Sequence, residues 1–413
     1  MTTHNPMSLN DPSVIECPFP AYRTLRDRAP VVETAPGLYL VSRYEDVLRI
    51  LKDTKTFSSR WSRDAFDMFG PSPVRDEIGK MLVGCPETPT LLDNDPPDQT
   101  AVRSLVARVF TPRKVKAMEP RIRVLVERLS EPWADRGRVE FGSEFAEPLP
   151  ALVTGEALGT DPGMNERLKF WSDEVMSRGA GPQPPERQLE VARHIAEMND
   201  YFLGLIRERR RAPREDLMSL LAGARLDDGS ALTDTQIVNI ARTFLIGGNE
   251  TTTFLLTSTL HRLATDPVLT GRIRAEPKLI PGLTEELLRL ESPAQGMPRY
   301  PVRDVEIAGV TIPKGATVFV MFGSANHDDE AFADSDQLDL DRDSQRSGRH
   351  LAFGFGAHFC LGAPLARAEM RIALETLLPR MGDIALDPTG RTVRNQSAML
   401  RGLTHLDLVF QPI

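Results

Sequence analysis

The chain has 413 residues, 41% of them hydrophobic and 26% charged, with a formal net charge of −8. That acidic balance argues against nucleic acid as the main partner, and no apolar run is long enough to cross a bilayer, so no membrane association is expected. The three cysteines, Cys17, Cys85 and Cys360, are widely spaced, which is no disulfide framework and suits a reducing, cytoplasmic setting.

The first residues, "MTTHNPMSLNDPSVIECP", lack a basic start followed by an apolar core, so no signal peptide is expected. "PVVET" and "LYLVSR" predict two strands of a hairpin around Pro36-Gly37, and "YEDVLRILKD" predicts a helix. Residues 60–95 are rich in proline, glycine and charge, with Trp61, Phe66, Met68 and Phe69 scattered among them. So long a poorly periodic stretch points to a substrate lid or binding loop. From about 98 to 290 the pattern is mostly helical. The charge run "RERRRAPRED" (207–216), broken by Pro213, reads as a solvated helix end and turn.

The longest predicted helix covers 233–265, roughly 45 Å at about 1.5 Å per residue. Thr233 can cap it, and Gln236 completes a capping box. Its centre reads "LIGGNETTTFLL". Each glycine there costs roughly 1 kcal/mol relative to alanine, and the β-branched threonines lower helix propensity further. A local rule broken in this way usually marks a functional site. After residue 298, "VRDVEIAGVTI" and "ATVFVMF" predict strands with "PKG" as a turn between them. An irregular acidic segment (326–347) follows, then a cysteine-bearing loop, a helix over about 361–381 and a last strand-like piece, "HLDLVF". The inventory is mainly α, with a small β-sheet built from both chain ends. Without repeats or a low-complexity linker, residues 1–413 read as a single domain.

The passage "HLAFGFGAHFCLGAPLARAEM" (350–370) carries most of the chemistry. Cys360 follows Phe353, Gly354, Gly356 and His358, and a helix begins just after it, with Pro364 where a first turn tolerates proline. A thiol at a helix amino end is drawn toward thiolate by the partial positive charge there. Glycines on the approach let the backbone come close to a flat ligand. Four readings compete. A merely packed cysteine would not require His358 and Arg367 at these spacings. A zinc site needs about four ligands, and only His358 and Cys360 are close in sequence. A nucleophilic cysteine needs a base and an oxyanion hole, for which no local signature exists. The fourth reading is a thiolate ligand of haem iron.

Phe353-x-x-Gly356-x-His358-x-Cys360-x-Gly362 resembles the haem-binding signature of the cytochrome P450 family, a long and specific motif. The resemblance extends over essentially the whole chain. Glu286-Leu-Leu-Arg289 is similar to the family's E-x-x-R helix, which without that context would be an ordinary i, i+3 surface ion pair. Residues 92–115 resemble the helix crossing the haem edge, and "MPRYPVRDVEI" (297–307) the strand that supplies a haem-binding arginine. The implied fold is helix-rich and triangular with a small sheet, and the implied cofactor is haem b.

Carried over position by position, Cys360 is the proximal iron ligand, and Arg103, Arg299 and His358 pair with the haem propionates, a task arginine geometry suits. Each arginine taken alone reads more simply as a surface cation. Gln99 stands where the family usually has a propionate-binding histidine, and Gln337 where an arginine often joins the E-x-x-R pair. Gly247 and Gly248 would let the long helix pass closely over the oxygen side of the haem. Glu250 and Thr251 would form its acid–alcohol pair, while Thr252 and Thr253 read as satisfied helix hydroxyls.

The resemblance implies a monooxygenase that inserts oxygen from dioxygen into a hydrophobic small molecule. With no G-x-G-x-x-G and no P-loop, electrons are expected from a separate ferredoxin-type donor with its reductase, docking at Arg108, Arg113, Lys114 or Arg349. A cytoplasmic monomer is expected. The runner-up readings are a peroxide-driven haem-thiolate enzyme, which typically lacks the Glu250-Thr251 pair, and a haem protein that senses ligands without turnover. The expected pocket takes in residues 60–90, Thr243–Gly247, 295–297 and 398–402, including Met297, Met399 and Leu400, with Arg63 or Arg401 as a carboxylate anchor.

Overall fold

Apolar spacing and turn chemistry sort the chain into the elements expected, with a few instructive differences. The structure is a computed structural model and describes residues 9, 11–60, 73–178, 183–226, 228–342 and 348–413. Helices α1 (Pro12–Glu16) and α2 (Phe19–Arg28) lead into strands β1 (Val31–Ala35) and β2 (Leu38–Val41), then α3 (Tyr44–Lys52) and β3 (Phe57–Ser58). A helical stretch follows: α4 (Arg75–Met81), α5 (Asp98–Val106), α6 (Pro112–Ala134), the short β4 (Arg138–Glu140), α7 (Pro148–Leu158), α8 (Asn165–Ser177), α9 (Pro185–Arg211) and α10 (Leu217–Gly223). Then come α11 (Asp234–Thr265), α12 (Pro267–Ala275) and α13 (Ile280–Glu291). The last part holds β5 (Met297–Pro301), β6 (Val305–Ile307), β7 (Val310–Ile312), β8 (Thr317–Val320), α14 (Phe322–Ala325), α15 (Ala363–Leu377), β9 (Met381–Leu386), β10 (Thr392–Arg394) and β11 (Leu403–Pro412).

Two compact units emerge from the contacts. One comprises Met1–Ser58, Val115–Leu149 and Thr251–Ile413, the other Ser59–Lys114 and Pro150–Glu250. Helix α11 contributes to both.

In the first unit the β1–β2 hairpin turns at Gly37, whose φ of 75° is one glycine adopts without strain. β2 continues into a five-stranded sheet of order β1-β2-β8-β5-β3, with β2 and β8 parallel. One face of α3 buries Tyr44, Val47, Leu48 and Leu51, the i, i+3, i+4, i+7 pattern that predicted it. These side chains share a core with Val41, Phe57, Val318, Val320, Phe322 and Leu351. Each such apolar side chain, fully buried, contributes about 1.5–3 kcal/mol. "VRDVEIAGVTI" is a hairpin rather than one strand. Ala308 and Gly309 both take positive φ (46° and 78°), so β6 folds back on β7. The carboxy-terminal strands do not join the amino-terminal hairpin. β9, β10 and β4 pair around β11 in a separate sheet, so each chain end has its own sheet. Trp133 packs edge-on against Phe145 and Phe410 there.

In the second unit the charge run at 207–216 is not wholly solvated. Arg209 is buried, its guanidinium held by Asp216 at 2.6 Å, Glu208 at 2.7 Å and the Gly159 carbonyl. Polarity alone could not distinguish this arginine from its exposed neighbours Arg210 and Arg211. Residues 85–93 are also more ordered than a bare loop. Glu87 pairs with Arg178 at 2.6 Å and Arg242 at 3.3 Å, and Asn239 donates to the Pro86 carbonyl at 3.2 Å. Trp61, Arg63, Phe66, Met68 and Phe69 lie outside the described residues.

Candidate active site

The cysteine loop is a tight backbone finger. The Gly354 amide donates to the Leu351 carbonyl (2.8 Å), Phe359 to Gly356 (3.1 Å) and Cys360 to Phe353 (2.9 Å). Gly354 and Gly356 sit at φ 67° and 68°, where a side chain would strain the backbone. Phe353, Gly356, His358 and Cys360 are thereby gathered into one turn, with His358 ending a short 3₁₀ segment. Helix α15 starts just after it, Pro364 in its first turn as expected. A Cβ on Gly362 would lie only 3.7 Å from Cys360 Sγ, so the sulfur sits against the helix start. The partial positive charge there favours an anionic ligand.

Cys360 is exposed, and the large side chains on either side, Phe355 and Phe359, are also 39% and 38% exposed. An accessible sulfur flanked by two part-exposed aromatic rings fits a flat apolar group that carries a metal. Of the other thiols Cys85 is buried and Cys17 is exposed.

Behind the loop lies a buried ionic network. Glu286 and Arg289 of α13 meet in a two-pronged pair, both contacts 2.9 Å, with side chains 1% and 0% exposed. Arg289 also donates to the carbonyls of Asn326, Ser335 and Gln337 at 3.0, 2.5 and 2.9 Å. Asn326 Oδ1 in turn accepts the Leu351 amide at 2.6 Å, which links the network to the approach of the cysteine loop. Gln337 therefore takes part only through its backbone. The cation that the acidic segment lacks at that position is supplied by Arg342, whose Nε donates to Glu286 Oε1 at 3.1 Å. Burial pushes the Glu286 carboxyl up, but Arg289, the Asp339 amide and Arg342 outweigh it, and the group stays below its ordinary range.

On the second unit, α5 carries Gln99, fully buried, and Arg103, half-buried. Arg299 lies on β5 of the first unit and is 7% exposed. The capping box of α11 forms as predicted: Thr233 Oγ1 accepts the Gln236 amide (3.2 Å) and Gln236 Oε1 accepts the Thr233 amide (2.9 Å). The helix runs unbroken through "GGNETT", and its two glycines differ. A Cβ on Gly248 would meet Thr154 Oγ1 at 2.6 Å, so close packing on α7 requires glycine there. A Cβ on Gly247 would meet no described atom within 4 Å, so that position faces open space. Thr252 and Thr253 are buried, and Thr253 Oγ1 donates to the Ala146 carbonyl at 3.0 Å, the ordinary role expected of it.

Arg401 is not a substrate anchor. It is 7% exposed and turned to Glu291 at 3.3 Å and to the carbonyls of Ile15 and Glu16 at 3.4 and 3.2 Å. Gln295 is likewise occupied: its Oε1 accepts the Tyr22 hydroxyl at 2.9 Å. These partners lie at least 110 residues away in sequence, which is why local pattern did not reveal them.

Comparison with known proteins gives a single answer. The Cytochrome P450 family profile matches residues 183–382. Cytochrome P450 monooxygenase PikC of Streptomyces venezuelae is 34% identical over 399 residues, which is 95% of this chain and 90% of that one. The chain is a cytochrome P450. Among solved structures, cytochrome P450 CYP109Q5 from Chondromyces apiculatus superposes with a TM-score of 0.85 at 34% identity, covering 98% of both chains. CYP109E1 from Bacillus megaterium, solved in complex with testosterone, gives 0.82 at 31% identity and covers 95% of this chain and 99% of that one. As a P450 monooxygenase the protein uses haem b, dioxygen and electrons from a redox partner to oxidise a small molecule. No helix among the described residues is long and apolar enough to cross a membrane.

Two features of this P450 escaped sequence reasoning. Arg342 was hidden because it stands five places beyond the position where an arginine was sought. Thr154 beneath Gly248 was hidden because helix-to-helix contact leaves no periodic trace.

Proposed function

We propose that Cys360 is the sulfur ligand of the haem iron and that Arg103, Arg299 and His358 hold its carboxylates, with Gln99 donating a neutral hydrogen bond in place of a histidine. The observation that carries this is the cysteine finger itself: an exposed Sγ at the start of α15, held by the Cys360 amide on the Phe353 carbonyl. Phe353 and Gly356 shape that finger. Haem, when bound, supplies the binding of dioxygen and its reductive cleavage.

The remaining roles belong to the polypeptide. Gly247 leaves room on the oxygen side of α11, and Gly248 lets α11 approach α7. Thr251 Oγ1 holds a proton toward the oxygen, and the Glu250 carboxylate relays protons to Thr251 from solvent, the kind of positioned donation that contributes about 10²–10⁴-fold. Residues 60–95 form the substrate lid within a single catalytic domain. The substrate is a hydrophobic small molecule of steroid or terpenoid type, a reading supported by Met297 and Met399, which are partly buried against apolar clusters, and by the testosterone complex of CYP109E1. Electrons come from a ferredoxin-type carrier, with the exposed Arg108, Arg113, Lys114 and Arg349 as its contacts. The enzyme works as a cytoplasmic monomer, in keeping with three cysteines too widely spaced for a disulfide framework.

Spectra and turnover test the core of this reading. The reduced, carbon monoxide-treated protein should show the red-shifted band of sulfur-ligated haem, and Cys360→Ser should lose it. With a ferredoxin system, Thr251→Ala should keep consuming oxygen while its product yield falls by about tenfold or more. Unchanged yield would remove Thr251 from the proton path and favour peroxide-driven chemistry. A screen for substrate-induced shifts of the haem band identifies the substrate.

A further inference from the structure

Glu285 stands one residue before the Glu286 of the buried pair and serves a different group of side chains. Its carboxylate takes Arg367 of α15 in a fork, Nε to Oε1 at 2.6 Å and Nη2 to Oε2 at 2.8 Å. Oε2 also contacts His350 Nε2 at 3.2 Å. Because the Ala352 amide donates to His350 Nδ1 at 3.3 Å, Nε2 is the nitrogen that carries the proton and donates to Glu285. Both of these partners also reach Phe353. The Arg367 guanidinium rests 4.6 Å from its ring centroid, and the His350 ring is 5.9 Å away. Phe353 also meets Phe359 edge-on at 6.2 Å, and its carbonyl receives the Cys360 amide. Burial raises the Glu285 carboxyl, yet Arg367 and His350 hold it at about 2.

We propose that Glu285, through Arg367 and His350, is a positioning residue for the haem sulfur ligand. The cluster packs Arg367 and His350 against the Phe353 ring, which fixes the carbonyl that orients the Cys360 amide. It also sets a balanced cation and anion beside the cysteine loop. The proposal rests on Cys360 as the iron ligand. Removing the anion leaves net positive charge, which favours the more negative, reduced haem. Removing the cation does the reverse.

The test uses the full-length haem-loaded protein and its variants Glu285→Gln, Arg367→Gln and the double variant. Reduction midpoints are read by spectroelectrochemical titration, and haem release by transfer to a haem-scavenging apoprotein. Glu285→Gln should raise the midpoint, Arg367→Gln should lower it, and the double variant should return close to wild type. Haem release should quicken about tenfold or more in both single variants. A purely structural role would not give opposite signs. Where Arg367→Gln does not yield folded protein, Arg367→Lys decides: it keeps the charge but loses the planar stack. It should hold the wild-type midpoint while releasing haem faster. Midpoints that move in the same direction, or stay put with release changed by less than about twofold, overturn the proposal. The reduced carbon monoxide band separates the two claims. If wild type lacks it, the Cys360 assignment fails; if wild type shows it and the midpoints do not diverge, only the Glu285 role fails.

Discussion

Glu369 illustrates how much one side chain can control. It sits on α15, 2% exposed, and among the described residues its Oε2 has no hydrogen-bond partner. Burial raises its pKa from 4.5 to about 8. The folded chain therefore keeps this proton through a window in which the unfolded chain has released it, so stability falls as pH rises from about 5 to about 8 and levels above that. Glu369→Gln removes the dependence while preserving shape. Urea unfolding at a series of pH values should show the variant gaining on wild type across that window. A constant difference would mean that the carboxyl is ionised throughout. Glu285 runs the opposite way: held at about 2, its contribution is complete above the ordinary carboxyl range and is lost as the pH falls from about 4.5 to about 2.

For the central helix, the two glycines of α11 give a prediction with opposite signs. Both cost helix propensity by about the same amount. Gly248→Ala places a methyl 2.6 Å from Thr154 Oγ1 and should destabilise by about 1–3 kcal/mol, relieved when Thr154 is also shortened to alanine. Gly247→Ala meets no described atom and should leave denaturant stability unchanged or raise it by up to about 1 kcal/mol, while lowering oxygen-dependent product formation. Equal destabilisation by both substitutions would refute the distinction. One glycine answers to packing, the other to the open space beside the helix.

Across the whole molecule, the pair on α13 ties together segments far apart in the chain: α13 itself, the acidic segment at 326–342 and, through Asn326, the cysteine loop. Arg289→Ala leaves a carboxylate that is 1% exposed without its fork, and should cost about 3–5 kcal/mol in urea unfolding. Gln337→Ala, by contrast, removes an exposed side chain from a residue that contributes only its carbonyl, and should stay within about 0.5 kcal/mol of wild type. Arg342→Ala should fall between them, since its own side chain is 6% exposed and paired with Glu286. A large loss at Gln337 would show that the cation of the acidic segment had been wrongly assigned.

Sequence alone determined the features that depend on neighbours along the chain. The long helix with its capping box, the hairpin at Gly37, the proline in the first turn of α15 and the glycine–phenylalanine approach to Cys360 are local, because backbone geometry and turn chemistry act over a few residues. The family signature was legible for the same reason. Tertiary structure decided what depends on partners distant in sequence. It committed Arg401 to Glu291 and the amino-terminal backbone, buried Arg209, gave Glu286 a second arginine in Arg342, and sent the two chain ends to separate sheets. A charged side chain looks the same in sequence whether it is solvated or buried. Only the fold supplies the counter-charge that makes burial possible.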